Sequence, residues 1–107
     1  MKKIDENYIY LESMYEDSYF PKFLVDKIKN LLEELAEYLE EEPSLEEVQE
    51  KLDELTIEIN ELQDEFYEND SEIETVARDS IAEAIEHILN YYNIEIDIED
   101  ALREREW

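Results

Sequence analysis

The sequence of 107 residues contains no glycine and no cysteine, two prolines and a single histidine. Because tight hairpin turns favour glycine, its absence argues against an antiparallel sheet. The lack of cysteine excludes disulfides, thiolate nucleophiles and cysteine-ligated metals. No apolar run is long enough to span a bilayer, and the opening residues lack the hydrophobic segment of a signal peptide, so we expect a cytoplasmic protein.

Basic residues are also scarce. Nine lysines and arginines face 34 aspartates and glutamates, which gives a net charge of −25. Such a charge repels DNA, RNA and anionic membranes and favours a basic protein as partner. From Glu33 to Glu74 there are 19 acidic residues and one basic residue, Lys51. The sequence leaves open the alternative that these charges only keep a solvated bundle of unknown role in solution.

Apolar residues recur every three or four positions in three long segments, which is typical of amphipathic helices. We therefore predict an all-α fold, a three-helix bundle with an aromatic N-terminal segment and a short C-terminal helix. The chain is expected to form one acidic domain over residues 1–107, with helices at about 22–42, 45–69, 72–92 and 98–106. A further short helix near 8–17 is compatible with the aromatic segment, whose rings either cover a groove of the bundle or form a binding platform.

Several helix ends can be predicted from local patterns. Ser44 with Glu47, and Ser71 with Glu74, have the spacing of capping boxes at the starts of the second and third helices. Pro43 ends the first helix because it disfavours the helical conformation of the preceding residue. Asn93 is suited to a left-handed position after the third helix.

The second helix carries a narrow apolar seam with alternating spacings of three and four. This pattern fits an outer helix of the bundle, and it also fits a coiled-coil dimer. The wide apolar faces of the other helices favour a monomer with the seam buried inside it. Ile57 lies off the seam and is expected to contact the aromatic N-terminal segment. The seam residues are Leu45, Val48, Leu52, Leu55, Ile59, Leu62 and Phe66.

The residues that carry chemistry form no recognisable catalytic or metal-binding motif. His87 is the only histidine, whereas a carboxylate-bridged di-iron site uses two Glu-x-x-His motifs. The residue three positions before His87 is Ala84 rather than glutamate. There is no glycine-rich phosphate loop, so we predict no cofactor, no metal site and no enzymatic activity. The alternative is a small carboxylate-based enzyme or metal-binding protein that uses the acids between Asp64 and Glu74.

Three blocks of the sequence resemble a known family: MYEDSYFPKFLVDK (14–27), LQDEFYENDSEIETVARDSIA (62–82) and REREW (103–107). Together they resemble a small acidic bacterial family of domains of unknown function, number 5713. The resemblance implies a cytosolic helical protein, with no activity, cofactor or catalytic residue to carry over. In two of these blocks acids stand beside aromatics, which predicts either a packed junction or a binding patch. The candidate binding residues are Tyr15, Glu16, Asp17, Tyr19, Asp64, Glu65, Tyr67, Glu68, Asp70, Glu72 and Glu74.

Overall fold

A computed structural model describes residues 8–107 and contains helices but no strands in that range. The prediction of an all-α helical bundle is therefore confirmed. The three long predicted helices and the C-terminal one each overlap an observed helix, and the aromatic segment adds a short one. The helices are α1 (Glu12–Glu16), α2 (Lys22–Leu39), α3 (Leu45–Glu68), α4 (Thr75–Tyr91) and α5 (Ile98–Ala101).

The central element is α2, whose backbone contacts α1, α3 and α4. Lys27 near the start of α2 pairs with Glu65 near the end of α3, and Tyr38 near the end of α2 lies beside Lys51 of α3. These contacts show that α2 and α3 run antiparallel. No Cα atoms of α3 and α4 lie within 8 Å of each other, and α5 contacts both helices. The two short helices thus complete the packing of the three long ones.

One hydrophobic core joins all five helices and the C-terminal residue Trp107. Burying each large aliphatic side chain contributes about 1.5–3 kcal/mol, so this core is the main stabilising term. The α3 seam is part of it: five of its seven residues are buried and Leu62 is partly buried, whereas Leu45 at the helix start is 55% exposed. The fully buried residues include Leu24, Ile28, Leu32, Leu35, Leu52, Ile59, Phe66, Ile81, Ile85 and Ile88.

Most of the N-terminal aromatic segment belongs to this core. Tyr10 and Phe20 are buried, and α1 packs on α4 and α2. Burial, with smaller contributions from Glu33 and Tyr8, raises the pKa of Tyr10 to about 12. The ring of Tyr8 stacks on His87 with centroids 3.8 Å apart. The rings therefore cover a groove of the bundle, as one of the two interpretations expected.

Helix ends are formed without glycine. Ser44 and Glu47 make the predicted capping box, with both reciprocal hydrogen bonds present. Asn93 has the predicted left-handed conformation, with φ of 57°. The amide of Ile94 donates to the carbonyl of Leu89 at 2.8 Å, which completes a Schellman motif at the end of α4.

The second predicted capping box is wrong. No side chain caps α4, which begins at Thr75 after Glu74 rather than at residue 72. The reason is that Ser71 forms part of the C-terminal cap of α3 instead. Asp70 is left-handed with φ of 57°, and the amide of Ser71 donates to the carbonyl of Phe66 at 2.8 Å. Ser71 therefore closes a Schellman motif, and its amide does not receive the Glu74 carboxylate as a capping box requires.

Two other bounds differ from the prediction. The first long helix was expected to reach residue 42, but α2 ends at Leu39, and Glu42 is left-handed with φ of 55° before Pro43. The C-terminal helix was expected over 98–106, but α5 ends at Ala101. After that residue the chain turns and then extends, which allows Trp107 to reach the core.

Candidate acidic interface

The carboxylates lie almost entirely on the surface. Of the 32 aspartates and glutamates in residues 8–107, 28 are exposed and four are partly buried. Two ion pairs occur among the described residues, Lys27 with Glu65 and Arg103 with Asp53. Most of the negative charge is therefore open to solvent and available to a partner.

The longest row of carboxylates follows the outer face of α3, and we call it the acidic stripe. Its spacings of three and four place its members on one side of the helix. At 1.5 Å per residue the stripe is about 31 Å long. All its members are exposed except Glu65, which is partly buried. The stripe consists of Glu47, Glu50, Glu54, Glu58, Glu61, Glu65 and Glu68.

Several carboxylates converge where the end of α2 meets the start of α3. Tyr38 marks this place, because burial raises the pKa of its hydroxyl and the nearby carboxylates of Glu47, Glu41, Glu50 and Glu54 raise it further. The Lys51 ammonium lies 5.8 Å from the centre of the Tyr38 ring. Tyr38 is not among the candidate binding residues predicted from the sequence, although its position inside the acidic run between Glu33 and Glu74 pointed to it.

The N-terminal candidate residues do not form one patch. The Tyr15 hydroxyl donates to Asp26 of α2 at 2.5 Å, so this ring is held against the bundle. Burial, the hydrogen bond to Asp26 and the carboxylates of Asp26 and Glu33 raise the pKa of Tyr15. Glu16 is exposed, whereas Asp17 accepts a hydrogen bond from the Tyr19 amide at 2.9 Å. Asp17 therefore stabilises the turn before α2.

Tyr19 is the residue that connects the two candidate blocks. Its side chain is 38% exposed and its hydroxyl lies beside Ser71 and the backbone of Glu72. The pKa of Tyr19 is raised by burial and then by the carboxylates of Glu74 and Glu72. The structure thus brings together Tyr19, Glu72 and Glu74 at the turn between α3 and α4.

The other candidates of the 64–74 block point in different directions. Glu65 is engaged by Lys27, with Nζ to carboxylate distances of 2.8 and 2.9 Å. Asp64 and Tyr67 line a groove on the opposite side of α3. Glu68 and Asp70 are exposed at the helix end. These acids therefore provide several small surfaces rather than one centre.

The groove beside Asp64 and Tyr67 involves the C-terminal tail, residues 103–107. The Asn60 side chain donates to the Glu104 carbonyl at 2.8 Å and accepts from the Glu106 amide at 3.0 Å. Gln49 donates to the carbonyl of Asp100 at 2.9 Å. Sequence reasoning missed both amides, although side-chain amides are conspicuous on a helix otherwise rich in carboxylates.

Ile57 lies in the same groove, with 43% of its surface exposed. The expectation that it contacts the N-terminal aromatics is wrong. The tail lies on this side of α3, whereas α1 packs on α2 and α4.

Across residues 8–107, no three acidic or histidine side chains converge in a way that could hold a metal ion. No helix in the described part of the chain is both long enough and apolar enough to cross a membrane.

Fold and surface together define a small all-α protein with a strongly acidic exterior. The chain belongs to DUF5713, a family of unknown function whose model matches residues 4–107. The resemblance of the three sequence blocks is thereby confirmed. Neither a curated protein nor a solved structure shows significant similarity to the chain.

Proposed function

We propose that this protein is an interaction module whose acidic α2–α3 surface binds a basic surface of another protein. The observation that carries the proposal is the exposure of 28 carboxylates with two ion pairs among the described residues. A cation-rich partner would gain favourable electrostatic interactions there at a small desolvation cost.

The acidic stripe also suggests how such a module would act. Its seven carboxylates over about 31 Å correspond to roughly one charge per 5 Å. One strand of duplex DNA presents a phosphate about every 3.4 Å, so the two charge densities are of the same order. A protein groove that binds nucleic acid would accept the stripe in place of a phosphate backbone. Inhibition of a nucleic-acid enzyme or neutralisation of a basic toxin would follow.

We place the module in the bacterial cytoplasm, as a monomer without enzymatic activity or cofactor. The packing of the α3 seam against α2 supports a monomer, because a coiled-coil dimer would need that seam. The surface charge disfavours direct contact with nucleic acid or membranes.

A three-bait capture from bacterial lysate tests this function. The baits are the natural protein, a stripe variant and a control variant. The stripe variant carries Gln at Glu50, Glu54, Glu58 and Glu68. The other three members of the stripe are kept, because Glu47 caps α3, Glu65 is ion-paired and Glu61 lines the groove beside the C-terminal tail. The control variant has the same net charge and carries Gln at four exposed positions elsewhere, Glu83, Glu86, Glu95 and Glu99.

The proposal predicts that a basic protein is enriched on the natural and control baits and lost on the stripe bait. The purified partner should then bind the natural protein more weakly as salt is added. Equal capture of basic proteins on the stripe and control baits would show that the position of the charges does not matter, which would contradict a specific interface.

A further inference from the structure

We infer that the groove between α3 and the C-terminal tail binds a basic peptide segment that carries an apolar side chain between its cations. We call it the tail groove. This inference rests on the proposed function and specifies the chemistry of the partner. The groove has a volume of about 570 Å³ and is lined mainly by Ile57, Tyr67, Glu61, Asp64, Glu104 and Glu106.

Two apolar side chains, which we call the floor of the tail groove, are open to solvent. Ile57 is 43% exposed and Tyr67 is 58% exposed. They stand on the same side of α3, ten residues apart, with Asn60 and Asp64 between them. At 1.5 Å per residue they lie about 15 Å apart along the helix, so each offers a separate apolar contact to a ligand in this concave surface.

The rim of the groove is negative on both sides. Glu61 and Asp64 belong to α3, whereas Glu104 and Glu106 belong to the tail. All four carboxylates are exposed, and none of them belongs to an ion pair among the described residues. The groove thus combines two exposed apolar side chains with four carboxylates that lie outside the ion pairs.

The alternation of residues in the tail explains this rim. Asn60 holds the backbone of the tail at Glu104 and Glu106, and both of these residues line the groove. The intervening Arg105 instead lies with its guanidinium carbon 5.5 Å from the centre of the Trp107 ring. Trp107 is itself buried in the core. The tail therefore places Glu104 and Glu106 at the groove and Arg105 against the tryptophan.

Charge complementarity selects the occupant. Lysine or arginine side chains would meet the four carboxylates, and an aliphatic or aromatic side chain between them would pack against Ile57 or Tyr67. A purely polar basic segment would leave the floor exposed, whereas an acidic or neutral segment would leave the rim unpaired. A basic segment with one apolar residue satisfies both parts of the groove.

The test measures the binding of two fluorescein-labelled peptides, each of nine residues, to the full-length protein. Each has four lysines, and they differ only in a central leucine or serine. Affinity is measured by fluorescence anisotropy at about 150 mM salt, where distant charges are screened, and the site is mapped by amide chemical shifts.

The double variant Ile57→Ser with Tyr67→Ser removes the floor of the groove. Leu45→Ser with Phe23→Ser is the matched control, because those apolar residues have similar exposure, 55% and 52%, and lie outside the groove.

We expect the leucine peptide to bind about tenfold more tightly than the serine peptide, as apolar anchors do at interfaces. The shifts should lie at residues 57–67 and 104–106. The floor variant should abolish the difference between the peptides and the control variant should retain it, with thermal melts showing that both are folded.

Equal binding of the two peptides, with shifts spread over the carboxylates of α2 and α3, would overturn the tail groove and leave the proposed function standing. The absence of salt-dependent binding by either peptide would contradict both.

Discussion

The guanidinium of Arg103 holds the carboxylate of Asp53 through two hydrogen bonds, of 3.0 Å from Nε and 2.6 Å from Nη2. The hydrogen bond from Arg103 is the main cause that lowers the pKa of Asp53, and one from Gln49 adds to it. The pair joins the C-terminal tail to the middle of α3, 50 residues away in the chain. It is the best-defined electrostatic contact on a surface where most carboxylates have no cationic partner.

This pair should make a pH-dependent contribution to stability. Because the pKa of Asp53 is lower in the folded state, its stabilising effect is present above the unfolded value, near 3.8, and is lost as pH falls through the folded value. The Arg103 side chain is 54% exposed, so we expect Asp53→Asn to cost about 1 kcal/mol or less at pH 7. Urea unfolding at pH 7 and pH 3 should show this difference shrinking at the lower pH. A difference that stays constant would contradict the role of the pair.

The side chain of Asn60 should control the docking of the tail. Asn60→Asp removes the donor to the Glu104 carbonyl and places a negative charge beside Glu104 and Glu106. Trp107 is the only tryptophan and is 9% exposed, so its fluorescence reports whether the tail is docked. We expect a red shift of the emission for Asn60→Asp. Gln63→Glu makes the same charge change nearby without breaking a tail hydrogen bond, and its emission should match that of the natural protein. A red shift in both variants would show that the added charge, rather than the lost hydrogen bond, undocks the tail.

The left-handed position of Glu42 should limit stability. A residue with a Cβ at φ of 55° is strained, and glycine avoids this strain. Glu42→Gly should therefore raise the free energy of unfolding by about 0.5–1 kcal/mol. Glu41→Gly removes the same charge from a residue with negative φ and is the control. Equal effects of both changes in chemical denaturation would show that charge, rather than backbone strain, is responsible.

Repulsion among the carboxylates should make the protein salt-sensitive. The net charge of −25 opposes the compact state, and screening relieves that opposition. The melting temperature should rise between about 20 mM and 500 mM sodium chloride, where the screening length falls below 10 Å. Circular dichroism at 222 nm follows the transition. A flat or falling melting temperature would mean that the charges are paired more effectively than their exposure indicates.

The sequence was most informative where the determinants are local. The Ser44 and Glu47 cap, the left-handed Asn93 and the buried seam of α3 each depend on residues close together in the chain, and all three occur in the structure. Ser71 and Glu74 also had capping spacing, but the Schellman motif at Asp70 took the Ser71 amide. Two patterns competed for one residue, and local spacing alone did not decide between them.

The candidate interface was harder to predict because its geometry depends on distant residues. The acids of the 64–74 block are exposed except Glu65, which Lys27 engages from 38 residues away. The tail reaches α3 through Asn60, 44 residues from Glu104. No periodicity in α3 reveals either partner, so the division of this block into separate surfaces became visible only in the fold.

The most direct test of the central claim is the salt dependence of partner binding, measured with the stripe and control variants. The partner from the three-bait capture is titrated by calorimetry against each protein at several salt concentrations. We predict a steep loss of affinity with salt for the natural protein and for the control variant. The stripe variant should bind more weakly and with a shallower dependence, because fewer charges meet at the interface. Identical affinities and slopes for the two variants would contradict an interface on the acidic stripe.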